Sequence, residues 1–252
     1  VNAVKQWFLK YRNLLSQSAM NELLSILRVI FPQFPKDLRS FLQTSNSCPY
    51  ELKSVPPGFY CHIGIKNGLR TIINKSSSMQ KYLSQNVEIV LPLNINIDGL
   101  PISKSSKSQL WPILTSIDLD RVDKNIKKPF IAGIYNGHTK PTQVDQFLSD
   151  FITEFKHLEQ NGFNVNKKII KVKVGKLLRD APAKLYILCI KGHTGYSACI
   201  KCIQEGTYIN GRVAFLQTNA QLRTDFSIKN KLNEYFHKGI SPFEKLNIDF
   251  IS

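Results

Sequence analysis

Two apolar, strand-like segments of this 252-residue chain each end at an aspartate. Residues 91–97 alternate apolar with polar side chains before Asp98, and residues 169–178 form a second such segment before Asp180. Alternation of this kind is typical of strands with one buried face. Between the two segments, the sequence predicts two further strands and then a helix. The chain therefore has the order strand, strand, strand, helix, strand.

This order predicts an α/β fold in which helices flank a mixed sheet. The intermediate strands are expected at residues 110–117 and 130–135, the helix at residues 142–158, and a further short helix at residues 183–190. In such a sheet the last strand returns through the helix and lies parallel to the first. We therefore expect the two aspartates to lie side by side at one edge of the sheet.

Other local patterns place boundaries along the chain. Thr142 and Asp145 have the spacing of a capping box at the start of the central helix. Residues 1–86 carry apolar side chains mostly at helical spacing, with one strand-like stretch at residues 59–65 and a helix predicted at residues 69–83. We interpret residues 1–86 as a mostly helical accessory region preceding the sheet.

The charge of the chain favours a polyanionic partner. Lysine and arginine number 34 against 18 acidic residues, which gives a net charge of +16. Nucleic acid is the first candidate and an anionic membrane surface the second, and no apolar run approaches the roughly 18 residues that a membrane-spanning helix needs. Lys171 and Lys173 alternate on one strand face, and Lys104 and Lys107 lie in a serine-rich loop. These lysines either follow a phosphate backbone or form a solvated face.

The paired aspartates predict a metal site. Two adjacent carboxylates repel each other, and a divalent ion between them keeps both ionised. Carboxylate oxygens favour Mg²⁺ or Mn²⁺, and two such ions support phosphodiester chemistry. A structural alternative stands beside this interpretation: Asp98 belongs to an Asp-Gly turn and Asp180 caps the following helix.

A CxxC pair, Cys199 and Cys202, is the second candidate site. Two thiolates supply half of a tetrahedral zinc site. His193 and His237 are candidate further ligands, as is Cys189, and the alternatives are a redox pair or two unligated thiols. Five cysteines without dense spacing argue against a disulfide scaffold and for a reducing compartment, the cytoplasm or the nucleus.

Four long phrases of the sequence are LNINIDGLPISKSSKSQLWPIL at residues 93–114, PFIAGIY at 129–135, DAPA at 180–183 and KGHTGYSACIKC at 191–202. In the same order, they resemble phrases of a transposase family common in animal genomes and related to the CACTA-type DDE transposases of cut-and-paste DNA elements. The likeness covers nearly the whole chain.

The resemblance implies an RNase-H-like catalytic core over residues 87–190. It implies that Asp98 is the first catalytic acid and Asp180 the second, and that residues 191–252 hold a zinc-binding insertion containing the cysteine pair. The implied reaction is metal-dependent cleavage of transposon ends and strand transfer into target DNA, in the nucleus. The resemblance is compatible with a homo-oligomer but does not specify one.

The resemblance also implies a third acid, a glutamate on a later helix, which we expect beyond Ser252. The chain starts at Val1 without an initiator methionine, and we interpret it as the central fragment of such a transposase. The alternative is a domesticated remnant that binds nucleic acid or a protein partner without catalysis.

Overall fold

The structure is a computed structural model that describes residues 1–44, 49–102, 107–119, 123, 126–178, 180–192, 194–248 and 250. The chain divides into two compact units, Val1–Pro49 and Tyr50–Ser252. Each unit has its own cluster of buried apolar side chains.

The first unit is helical. It contains α1 (Asn2–Tyr11), α2 (Gln17–Ile30) and α3 (Leu38–Leu42). Side-chain oxygens cap two of these helices: Ser16 accepts from the backbone N–H of Ala19 at 3.1 Å, and Asp37 accepts from that of Ser40 at 2.9 Å. The apolar faces then meet in a small core of Phe8, Met20, Leu24, Phe34 and Phe41.

The second unit is built on a mixed sheet with helices packed against it. Its elements, in chain order, are β1 (Leu52–Val55), β2 (Gly58–His62), α4 (Ile65–Lys75), α5 (Ser77–Gln85), β3 (Ile89–Ile97), β4 (Leu100–Pro101), β5 (Gln109–Ile117), β6 (Phe130–Gly137), α6 (Val144–Gln160), β7 (Phe163–Val165), β8 (Lys168–Leu178) and α7 (Ala181–Ile187). The strand order is β1-β2-β6-β5-β3-β8-β7, and β4 pairs with β5. Strands β3 and β8 are parallel, and the other pairs of the sheet are antiparallel. This arrangement confirms the predicted α/β class.

Strand β3 shows why the sequence pattern produces this sheet. Its alternate side chains Ile89, Leu91, Leu93, Ile95 and Ile97 are buried, and those between them are half-buried. Helix α6 contributes apolar side chains at helical spacing to the same core. These are Phe147, Leu148, Phe151, Ile152, Phe155 and Leu158.

Three local features differ from the sequence predictions. The capping box at Thr142 is wrong, because the Thr142 hydroxyl instead donates to the carbonyl oxygen of Pro56 at 3.0 Å, and α6 starts after Gln143 without a side-chain cap. The helix predicted at residues 69–83 is two helices, since Ser76 breaks the run and its hydroxyl caps α5. Strand β1 was not predicted; it pairs with β2, which lies at the strand-like stretch of residues 59–65, and β2 joins the sheet through β6.

The remainder of the second unit is mostly irregular. It contains the hairpin of β9 (Thr207–Ile209) and β10 (Arg212–Ala214), helix α8 (Asp225–Lys229), and two short 3-10 turns, Glu234–Phe236 and Pro242–Lys245. Phe236, Phe243 and Phe250 join the core of the sheet. In the parts of the chain that the structure describes, no helix is long and apolar enough to cross a membrane.

Candidate functional site

The two aspartates lie just beyond the carboxyl ends of neighbouring parallel strands. Asn96 of β3 pairs in register with Leu178 of β8, and Asp98 and Asp180 each follow their strand partner by two residues. Asp98 is half-buried and Asp180 is exposed. The pairing therefore brings two distant chain positions to the same edge of the sheet, as the strand order predicted.

Local hydrogen bonds fix part of each carboxylate. Oδ1 of Asp180 accepts from the backbone N–H of Ala183 at 2.8 Å, so Asp180 is the N-cap of α7. Oδ1 of Asp98 accepts from the N–H of Gly99 at 2.7 Å. A carboxylate has two oxygens and about four lone-pair sites, so one backbone bond leaves capacity for a cation. The capping role and the metal role are compatible.

Gly99 allows the chain after Asp98 to pass close to an indole ring. A Cβ atom at Gly99 would lie 2.7 Å from Cζ2 of Trp111, nearer than side chains approach. The Trp111 ring in turn contacts the edge of Tyr186 on α7, with ring centres 5.4 Å apart. The segment after Asp98 and the helix capped by Asp180 are thus joined through two aromatic rings.

A row of polar and basic side chains shares the half-exposed face of the sheet. Lys171 and Lys173 of β8 pair with Val90 and Pro92 of β3, opposite the buried Val172. Along β3, the side chains on this face continue by alternation to Asp98. Among the other predicted lysines, Lys107 is exposed before β5, and Lys104 lies outside the described residues.

The predicted CxxC pair is close in space. The sulfur atoms of Cys199 and Cys202 lie 3.2 Å apart, and Nε2 of Gln204 donates to the Cys202 sulfur at 3.0 Å. Burial raises the pKa of Cys202, but the hydrogen bonds from Gln204 and Cys199 and the charge of Arg223 together lower it. This thiol is consequently biased towards the thiolate form that binds metals.

Arg223 is the functional candidate that the sequence reasoning missed. Only 4% of Arg223 is exposed, its Nε donates to the carbonyl oxygen of Cys199 at 2.8 Å, and its guanidinium lies 3.9 Å from the centre of the Phe236 ring. Its Nη2 is buried without a hydrogen-bond partner among the described residues. Burial lowers the pKa of Arg223, while the two cysteines raise it. The residues at 222–225, which include Arg223, belong to the resemblance described above, but no spacing or periodicity in the sequence predicts the contacts of this arginine.

His237 is half-buried among apolar side chains, with the charged groups of Lys231, Glu244 and Arg223 near enough to affect its pKa. It forms an isolated bridge with Ile190, and it lines a small cavity with Ile200 and Phe250. Its Nδ1 is buried without a partner in the described part of the chain, and burial, followed by the charge of Lys231, lowers its pKa. Among the described residues, no group of three or more histidine, cysteine, aspartate or glutamate side chains is arranged to hold a metal ion. His193 falls outside the described residues.

Comparison of the sequence with protein-family models and with curated proteins finds no match. The interpretation of the site therefore depends on its own geometry and charge.

Proposed function

We propose that the Tyr50–Ser252 unit contains the RNase-H-like core of a DDE transposase that cuts DNA in the nucleus and joins the freed 3′-hydroxyl to target DNA. One observation carries the proposal: Asp98 and Asp180 follow neighbouring parallel strands, each two residues beyond the paired Asn96 and Leu178. The net charge of +16 supports a DNA partner.

The donor set at this edge fits Mg²⁺ or Mn²⁺. Both side chains offer hard carboxylate oxygens, and each has one oxygen beyond the one that its backbone hydrogen bond uses. Two such ions, when bound, activate a water or a 3′-hydroxyl and stabilise the leaving oxygen in phosphodiester displacement. Asp98 and Asp180 would hold the ions, and Lys171 and Lys173 would bind phosphates along the adjoining sheet face.

The cysteine pair fits a structural zinc ion. Cys199 and Cys202 present two close sulfur atoms, and Arg223 supplies a neighbouring positive charge. His193 is the proposed third ligand. His237 is the proposed fourth.

Calorimetric titration with Mn²⁺ tests the metal site directly. We expect Asp98→Asn and Asp180→Asn each to lose the wild-type binding event. Asp37→Asn is the matched control, because Asp37 also caps a helix through Oδ1 but lies in the other unit. Asparagine keeps a capping oxygen, so these variants remove charge and leave the cap. Unchanged binding in both site variants would contradict the proposal.

A nicking assay extends the test to chemistry. Wild-type protein should nick supercoiled DNA in the presence of Mn²⁺. The double variant Asp98→Ala, Asp180→Ala should not. Retained nicking by the double variant would exclude these aspartates as catalytic acids. DNA binding without Mn²⁺ binding would favour the alternative, a non-catalytic nucleic-acid-binding module.

A further inference from the structure

A cleft of about 710 Å³ lies beside α7, the helix that Asp180 caps. Its lining includes Pro182, Leu185 and Tyr186 of α7, together with Pro141 and Val144. Its volume is within the range of roughly 300–1,000 Å³ that pockets for small organic ligands occupy. The cleft is large enough for a ligand with one or two rings.

Tyr186 presents a fixed aromatic ring to this cleft. Its hydroxyl donates to the carbonyl oxygen of Pro141 at 2.6 Å, and the ring is supported from the side by Trp111. The Nζ of Lys140 lies 5.0 Å from the ring centre. Lys140 and a second lining lysine, Lys238, are both exposed. An apolar cleft with an aromatic wall and two cations complements a flat ring that carries a negative charge nearby.

Residues that line or contact the cleft are also connected to both aspartates. Pro182 is two residues beyond Asp180 in the same helix, and Trp111, which contacts Tyr186, also contacts Gly99 next to Asp98. A polymer that places one phosphate at the carboxylates would bring an adjacent unit to the cleft. This continuity favours a nucleotide over a free small molecule.

We infer that the cleft binds one unpaired nucleotide of the DNA strand whose phosphate lies at the carboxylate pair, with the base stacked on Tyr186 and its phosphate near Lys140 and Lys238. The inference rests on the proposed function and adds a substrate feature to it. Bases inside a duplex are stacked and paired, so the site selects a single-stranded or unstacked nucleotide.

The test uses short single-stranded DNA with one 2-aminopurine, with no Mg²⁺ or Mn²⁺ added and no chelator present, so that the carboxylate metal site plays no part and the proposed structural zinc stays in place. Anisotropy of an end label measures total affinity, and 2-aminopurine fluorescence measures stacking. We expect wild-type protein to quench the fluorescence, and an abasic nucleotide at the same position to weaken binding by about tenfold, as loss of one base stack does.

Substitutions inside and outside the cleft test whether the quenching and the affinity for DNA depend on it. Tyr186→Phe should keep the quenching because it keeps the ring, whereas Tyr186→Leu should abolish it and weaken binding by about tenfold. Lys140→Glu changes an exposed side chain and tests the cleft without disturbing the core; it should weaken binding and reduce quenching. Lys81→Glu, an equivalent charge change on the exposed surface of α5, should have a smaller effect on affinity and none on quenching.

The outcomes separate this inference from the proposed function. Equal affinity for the intact and abasic strands, or quenching that survives both Tyr186→Leu and Lys140→Glu, would overturn the cleft assignment and leave the nuclease proposal standing. If DNA binding depends on the base but Mn²⁺ binding is unchanged in Asp98→Asn and Asp180→Asn, the nuclease proposal would be overturned and the nucleotide cleft would remain. Tighter binding of an RNA strand of the same sequence would overturn DNA as the ligand.

Discussion

Glu154 on α6 should be one of the most sensitive surface-accessible positions of the second unit. Its Oε2 accepts from Nε2 of His62 at 2.9 Å and from the backbone N–H of Ile65 at 2.7 Å, and its Oε1 accepts from the N–H of Lys66 at 3.0 Å. The N-cap residue of α4 is Gly64, which has no side chain to serve these donors. Glu154 therefore caps α4 from another helix and ties both to β2.

The cost of Glu154→Ala follows from these three bonds. Loss of a capping side chain costs about 1 kcal/mol, and a hydrogen bond to a charged group contributes about 1.5–3 kcal/mol. Water can reach the freed donors in part, since 22% of the Glu154 side chain is exposed. We therefore expect a loss of about 2–4 kcal/mol in the free energy of unfolding. Glu154→Gln keeps one acceptor oxygen and should lose about half of that.

The pKa of Glu154 predicts how the stability lost in Glu154→Ala depends on pH. Burial raises the pKa of Glu154, but the hydrogen bonds from His62, Ile65 and Lys66 outweigh it and lower the pKa. A carboxylate with a lowered pKa in the folded state stabilises the fold above its ordinary pKa, near 4.5, and this stabilisation is lost as the pH falls through the folded value. The difference between wild type and Glu154→Ala should thus be greatest at neutral pH and shrink in acid.

Urea unfolding at a series of pH values measures this difference. Glu159→Ala is the matched control, because Glu159 lies in the same helix and lacks the capping contacts; it should change the unfolding free energy by less than about 0.5 kcal/mol. A Glu154→Ala effect as small as that of the control, or an effect equally large at neutral and acidic pH, would refute the capping argument.

Three further substitutions test other parts of the fold. Thr115→Val should raise the unfolding free energy by about 1 kcal/mol in urea, because the buried Thr115 hydroxyl has no hydrogen-bond partner among the described residues; a loss of stability would show that it has one. Lys168→Met should cost about 1–2 kcal/mol and speed hydrogen exchange in α5, since the Lys168 ammonium donates to the carbonyl oxygens of Leu83, Ser84 and Asn86; unchanged exchange would contradict this. Gly99→Ala should cost about 1–3 kcal/mol and shift tryptophan fluorescence, because its Cβ would displace Trp111, and an unshifted spectrum would argue against that contact.

The centre of the sheet could be predicted from sequence because its signals are local. Strand β3 alternates buried and half-buried side chains along its whole length, and α6 carries a long apolar stripe. These patterns also fixed the order of the elements, which in turn predicted that β3 and β8 are neighbours. The positions of Asp98 and Asp180 at one edge followed from that order alone.

Features that depend on distant partners could not be predicted. Strand β1 is exposed at three of its four positions and exists through its pairing with β2. The cap on α4 comes from Glu154, far along the chain, and Arg223 gains its role only when folding brings it to Cys199. A polar side chain in isolation gives no sign of what it will contact. For Thr142 the local spacing was misleading, because its hydroxyl donates to the carbonyl oxygen of Pro56, which is distant in sequence, and does not cap α6.

Asp180 shows how a structural role and a chemical role can support each other. The bond from the N–H of Ala183 to Oδ1 restricts the rotation of this carboxylate, so a cation that binds the other oxygen meets a side chain that has already lost much of its conformational freedom. Pre-organisation of this kind favours metal binding, whereas an unrestrained surface aspartate must be ordered on binding. The helix that the cap begins also carries Tyr186 and Pro182. Capping of α7 therefore orients the Asp180 carboxylate and, at the same time, positions the side chains that line the proposed nucleotide cleft.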